Sequence, residues 1–275
     1  MNFNNIVKSV DSIAPLSNAI IEIQKLFNNM EELDIHKLIA LIESDIVLSG
    51  NILKMANSPL YGFSTKISSV SQAVTLFGIM QIYGFIMSYS INENIKANTE
   101  VYDLSNEKFN NICNMQSALL LQWYSKIDLE DARFLAPLAL IMETGKLVVS
   151  SEVIASDYES EFKVGLLSSK STVEYEEELV GISSYSLSAK VFKHWHLDPI
   201  YIRVLENLSR KDSISQKIQN YTDILYIVIT AVNVKSVLTK KSVLKACKLV
   251  QKMGLDPNEF AQTALEVKKA YLNER

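Results

Sequence analysis

Glycine and proline are scarce in this chain, at 8 and 5 of 275 residues, less than half of the usual shares of about 7% and 5%. Sheet proteins with many tight turns lean on both residues, so a β-sandwich or β-barrel is disfavoured. Histidine is rarer still. His36, His194 and His196 are the whole supply, which starves any chemistry that needs several imidazoles. The two cysteines, Cys113 and Cys247, are far apart and match no C-x-x-C spacing; they read as free buried thiols of a reducing cytoplasm. Long apolar runs are missing as well. The longest, 134–142 and 224–232, fall well short of the roughly 18 residues a spanning helix needs, and residues 1–16 lack the apolar region of a signal peptide. A cytoplasmic protein with no membrane span is expected. Nor does one sign of charge dominate: 27 Lys+Arg against 31 Asp+Glu give −4. No more than two basic residues adjoin, at Lys240-Lys241 and Lys268-Lys269, so a phosphate-tracking surface is not indicated and no nucleic-acid partner is expected.

What is present is helical spacing. Ile35, Leu38, Ile39 and Ile42 follow the i, i+3, i+4, i+7 pattern behind Asp34, whose carboxylate can cap the first free amides. Val70, Ala73, Val74 and Phe77 repeat it behind Ser69; Ile112, Met115, Leu119 and Trp123 form a third stripe, and Val191, Phe192 and Trp195 close a fourth. A helix over 242–253 ends at Gly254, which suits a left-handed C′ position, and Asp256-Pro257 opens a last helix with Phe260, Ala261, Ala264, Val267 and Tyr271 inward. No segment alternates with period two long enough to predict a strand. Candidate seams are 92–106, 168–178 with its Glu176-Glu177-Glu178 run, and 209–216. The acidic run reads as a solvated helix start, where the macrodipole favours it.

Site motifs of common enzymes are missing. No G-x-G-x-x-G occurs, and Gly145-Lys146 lacks the upstream glycine of a phosphate loop. Ser242-Val243-Leu244-Lys245 has neither companion of the S-x-x-K enzymes, and Gly181 to Tyr185 lacks the second glycine of a nucleophile elbow. On a helix, His194 and His196 point about 200° apart, so a capping or surface role suits them better than metal chelation. Tyr83, Phe85, Tyr89, Tyr221 and Tyr226 have no basic groove beside them and read as core or edge packing.

One stretch is far more specific. Ile42-Glu43-Ser44-Asp45 leads through Leu48 to Ile52-Leu53-Lys54-Met55-Ala56-Asn57-Ser58-Pro59-Leu60-Tyr61-Gly62, and then to Ile67-Ser68-Ser69-Val70, Ala73-Val74 and Leu76-Phe77-Gly78. Asp45 can cap a helix that turns Leu48, Ile52 and Met55 inward. Asn57 and Ser58 can satisfy backbone groups where it stops before Pro59, or face a ligand. This stretch, with Ile13-Ala14-Pro15-Leu16 before it, resembles the HDOD family over about seventy residues. It departs from the family pattern at Ile46, where proline is usual.

The resemblance implies kinship with the HD phosphohydrolases, in which imidazoles and carboxylates hold a metal that activates water. It places the first histidine of that pattern near Gln116 and the paired His-Asp at Met142-Glu143. The later histidine falls at Ser184, the W-x-L-P step at Trp195 to Pro199, and the terminal aspartate within 229–232. Glutamine, methionine, serine and valine are poor substitutes for those ligands. The expectation is therefore an all-α protein, an N-terminal helical lobe (1–95) packed on a degenerate HD-like lobe (96–275), with no cofactor, no metal and no catalytic residue. It is expected to be a non-enzymatic module of bacterial signal transduction that binds a signalling protein partner, with or without a small ligand. Asp45, Asn57, Ser58, Tyr61 and Glu143 are the ligand- or partner-binding candidates. The alternative is a phosphohydrolase-derived protein that binds or hydrolyses a nucleotide, with Glu143 or the His194/His196 pair as remnants.

Overall fold

Apolar stripes of period 3.6 cannot be buried one at a time, so the chain stacks them. A computed structural model describes residues 3–27, 33–209 and 215–273. The first helices are α1 (Phe3–Asp11), α2 (Asn18–Phe27), α3 (Ile35–Glu43), α4 (Ile46–Ala56), α5 (Val70–Phe77) and α6 (Ile79–Asn94). Then follow α7 (Asn106–Tyr124), α8 (Leu129–Ile141), α9 (Thr144–Ala155), α10 (Glu159–Ser168) and α11 (Thr172–Val180). The chain continues with α12 (Ser184–His194), α13 (Pro199–Ser209), α14 (Gln216–Ala231), α15 (Lys240–Lys252) and α16 (Pro257–Asn273). The fold is all-α. Among the described residues, strand pairing is confined to a two-residue hairpin, Val232 opposite Val237 and Asn233 opposite Ser236, which period-two reasoning did not find because it is too short to alternate.

Local signals set most helix ends. Asp34 accepts from the amides of His36 and Lys37, and Ser69 from Gln72. Gly254 is left-handed at φ +75°, one residue beyond the end of α15 at Met253. That helix starts two residues earlier than its apolar pattern, because Thr239 caps it by accepting from the Ser242 amide. Every residue of the stripes on α5 and α7 and the 191–195 segment is buried. On α4, however, Met55 is only half-buried and Ala56 takes the inner position.

Helices α2 to α5 pack on one another, and α4 and α5 lean on α6, which lies along α8. From α7 the chain winds through a ring of neighbours: α8 on α7, α9 on α12, α12 on α13, α13 on α14, α14 on α15, α15 on α16, and α16 back on α7. Close approach needs small residues: a Cβ on Gly84 of α6 would lie 2.8 Å from the Pro137 side chain of α8. Helix α1 reaches over to α9 and α12. Beside it, the Trp195 indole donates to the Ala14 carbonyl, and Gln24 of α2 donates to the Trp195 carbonyl at 2.6 Å. His194 meets the Ile13 carbonyl through Nε2, and exposed His196 adopts the left-handed conformation that ends the segment. No single described helix is long and apolar enough to cross a membrane. The pair α5 and α6 has the composition but is bent by 119°, with much of both helices buried in the core.

Candidate functional site

Four of the five site candidates lie in one segment, where three spend their polar atoms on backbone. Asp45 accepts from the amides of Val47 and Leu48, both at 2.9 Å. The Asn57 amide donates to the carbonyls of Leu53 (2.7 Å) and Ile67 (2.8 Å), and its oxygen accepts from the Ile67 amide (2.9 Å). That clasp holds the end of α4 to the strand-like approach to α5. Ser58 accepts from the Leu60 amide and opens a 3₁₀ turn over Pro59–Tyr61, which left-handed Gly62 ends at φ +75°. The fourth, Tyr61, is buried, with its phenol 3.5 Å from both Ser117 Oγ and Gln81 Nε2. Burial pushes its pKa up, and the bonds to Ser117 and Gln81 only partly oppose this.

Glu143 is elsewhere, buried between α8 and α9. The structure brings it together with Gln116, Ser184 and Val232 among the positions that the HD pattern marks, while Trp195 stays with Ala14 and Gln24. Gln116 of α7 donates to Glu143 Oε1 (2.9 Å) and to the Val232 carbonyl (3.0 Å), and the Tyr185 hydroxyl donates to the same carboxylate oxygen (3.2 Å). What sequence reasoning missed stands at the centre. Lys146 Nζ lies 3.5 Å from Glu143 Oε2, 3.0 and 3.1 Å from the two oxygens of Glu176, and 3.0 Å from Ser184 Oγ. Tyr102 donates to Glu176 Oε1 at 2.8 Å. Glu143, Lys146 and Glu176 are at most 2% exposed.

The acidic run is therefore not a solvated helix start. Helix α11 begins at Thr172, and helical period places Glu176 on the same inward face as Val180, while Glu177 and Glu178 stay exposed. A signal for the pair did exist. A lone lysine between apolar runs, with Leu140 to Met142 before it and Leu147 to Val149 after it, must either snorkel or find an acid.

Electrostatics follow from burial. Desolvation alone would strip the proton from Lys146, but the Glu176 and Glu143 carboxylates and their hydrogen bonds outweigh it and hold the ammonium above its ordinary pKa. Burial and the neighbouring carboxylates push the phenols of Tyr102 and Tyr185 well above theirs. Gly145 makes the arrangement possible. A Cβ there would collide with the Ser184 carbonyl, and instead the Gly145 amide donates to Ser188 Oγ at 2.7 Å, closing α9 onto α12.

These residues do not fit a divalent metal. The position marked for the first imidazole holds an amide that donates to the carboxylate, and an ammonium occupies the space between the two acids. Among the described residues no three histidine, cysteine, aspartate or glutamate side chains converge. Outward from the network runs a cleft of about 540 Å³ with Glu143, Lys146 and Tyr185 among its walls. Tyr226 also lines it and is 53% exposed, whereas Tyr83, Phe85 and Tyr221, grouped with it in the sequence, are buried.

The family model of the HDOD domain matches residues 13–210. A solved structure of an HDOD domain protein of unknown function from Geobacter sulfurreducens superposes with TM-score 0.64 at 16% identity, covering 98% of this chain and 94% of that one. A Shewanella amazonensis protein provisionally assigned as a phosphohydrolase gives 0.71 at 16% identity, over 96% and 97%. A Marinobacter aquaeolei protein provisionally assigned to signal transduction gives 0.65 at 14%, over 94% and 57%. At these identities the likeness is one of fold. An uncharacterized protein of Treponema pallidum is 27% identical over 84 residues, 30% of this chain and 16% of that curated relative's length.

Proposed function

The chain belongs to the HDOD domain family, and from that premise we propose that it is a non-hydrolytic signalling module that works by binding a protein partner. The observation that carries this reading is the Lys146 ammonium, held between Glu143 and Glu176 where the related enzymes would hold their metal. A hydrolase of this lineage needs a Lewis acid with an open position for water. Here a side-chain ammonium stands between the acids, with hydrogen bonds to Glu176 and Ser184. Partner binding is supported by apolar side chains left outside the core, among them Ile46 at 85% and Leu167 at 81% exposure. The signal-transduction assignment of the Marinobacter protein points the same way.

The test is metal analysis of protein purified without chelator, combined with a phosphodiester hydrolysis assay in added manganese or magnesium. The expected result is neither stoichiometric metal nor turnover. A tightly held equivalent of metal with turnover would overturn the reading. A second reading, a ligand-binding protein, is favoured by the cleft of about 540 Å³ that has Glu143, Lys146 and Tyr185 among its walls.

A further inference from the structure

A groove of about 1040 Å³ is lined by residues of α4, α6 and α7 and by Tyr271 of α16, and it shares no residue with the cleft beside Lys146. Its lining is rich in side-chain amides. On α7, Asn106, Asn110 and Asn114 follow one another at a spacing of four, so helical period puts them on one face, about 6 Å apart along the axis. Asn51 of α4 and Asn92 of α6 join them. The charges on the lining cancel, with Lys54 and Lys108 against Glu93 and Glu107. That balance disfavours a phosphate chain or a strongly charged partner.

These amides differ in what they are bonded to. Asn106 is spent on the chain before it, accepting from the amide and hydroxyl of Thr99 and donating to the Ala97 carbonyl. Among the described residues, the Asn110 carboxamide has no partner. Asn114 donates to the Asn110 carbonyl, but its buried Oδ1 receives no hydrogen bond, a state that costs free energy until a donor arrives. Asn51 and Asn92 donate only to the carbonyls of Val47 and Ser88 on their own helices. Each carboxamide offers the donor and acceptor of a peptide group. An extended chain turns the same way every second residue, about 6.6–6.8 Å apart, close to the rise between Asn110 and Asn114.

Size favours a chain over a small molecule. A hollow of about 400 Å³ shares Asn92, Asn106 and Asn110 with the groove, and the two together exceed the roughly 300–1,000 Å³ of small-molecule sites. Another hollow, of about 260 Å³, shares Lys108 and Tyr271 and is lined by Leu104, Ile112, Met115 and Leu238. It suits one apolar side chain. We propose that the groove binds an extended, weakly charged peptide segment of the signalling partner, its backbone paired with Asn110 and Asn114 and an apolar side chain in the smaller hollow. Main-chain bonds then supply affinity and the hollow supplies selectivity. The inference rests on the partner-binding reading and gives it a surface.

Selection of a displayed library of random dodecapeptides on the full chain tests it, followed by fluorescence anisotropy with synthetic copies of the peptides recovered. They should bind saturably and carry an apolar residue among few charges. The N110A/N114A double variant should bind them about thirtyfold more weakly, as two lost hydrogen bonds would give. Its melting temperature should not fall, because alanine is the better helix former. Peptides N-methylated at every second residue provide a readout on unaltered protein: one phase should abolish binding and the other should leave it. Maltoheptaose serves as a second neutral polymer, and its binding in place of peptides overturns the peptide occupant. Recovery of no peptide, or binding indifferent to the double variant or to methylation in both phases, overturns the groove. Partner binding through another surface would survive that result, and it falls only with tight metal and turnover in the hydrolysis assay.

Discussion

In the segment from Asp45 to Gly62, polar side chains serve the backbone next to them: Asp45 caps α4, Asn57 clasps Ile67, and Ser58 caps the turn that follows. Around Lys146, polar side chains serve one another across the sequence, with Lys146 and Glu176 thirty residues apart and Gln116 and Glu143 twenty-seven. The first arrangement is modular. Losing a cap removes one or two bonds near the surface, and water can replace them. The second stands or falls as a unit, because each member is buried and removing one leaves a charge with no solvent to take its partner's place.

The sharpest break in that comparison is Lys146→Ala. It leaves two buried carboxylates facing each other and should cost about 3–5 kcal/mol, read as a fall in the urea midpoint. Replacing all three charges together, with Glu143→Gln, Lys146→Met and Glu176→Gln, should recover much of that loss. If the triple variant is as unstable as the single one, packing rather than charge holds the centre together.

Next in size is Gly145→Ala, where the added methyl meets the Ser184 carbonyl. Parting α9 from α12 should cost about 3 kcal/mol, the upper end of overpacking penalties. Gly50, within α4, has nothing within 4 Å of its would-be Cβ. There the same substitution should stabilise by about 0.5–1 kcal/mol through helix propensity. Opposite signs for one substitution in the two regions is the expected outcome in thermal melts, and equal signs would contradict the packing argument.

Alkaline pH weighs most on the Lys146 network, although burial also holds Tyr61 of the first segment above the ordinary tyrosine range. Tyr102 and Tyr185 keep their phenol protons well above the ordinary tyrosine range because of burial and the neighbouring carboxylates. Above about pH 10 the unfolded chain therefore loses protons that the folded chain retains, and stability falls as pH rises. The raised Lys146 acts in the same direction: its contribution is complete below the unfolded lysine value and is lost as pH climbs through the folded one. Urea midpoints should hold steady from pH 7 to 9 and drop beyond 10, and a Tyr102→Phe/Tyr185→Phe variant should show a smaller drop. The smallest effect is expected from Asp45→Ala, about 1 kcal/mol for a lost N-cap, with no change in alkaline behaviour.

The stripes on α5 and α7, the caps at Asp34 and Ser69 and the stop at Gly254 were legible because each depends on residues within one or two turns. The same holds for the all-α class and for the motif that identifies the family. The HD-pattern positions Gln116, Glu143 and Ser184 were marked by resemblance, and they do converge. Lys146 and Glu176 escaped, the first passed over as a failed phosphate loop and the second as part of a solvated acidic run. A charged residue's sequence neighbours say nothing about whether a partner waits thirty positions away. Tyr226, read as core or edge packing, is 53% exposed on the cleft wall, because an aromatic in an apolar stretch can face either way.

The amino-acid sequence by itself determined many helix ends and, for the helices with clear apolar stripes, which face turns inward, since periodicity and capping act over a few residues. Only the tertiary structure decided what gathers at the positions that the HD pattern marks. Packing α9 and α11 against α12 carries one ammonium and two carboxylates out of water to within 3.5 Å, where each charge is tolerated only because the others are there.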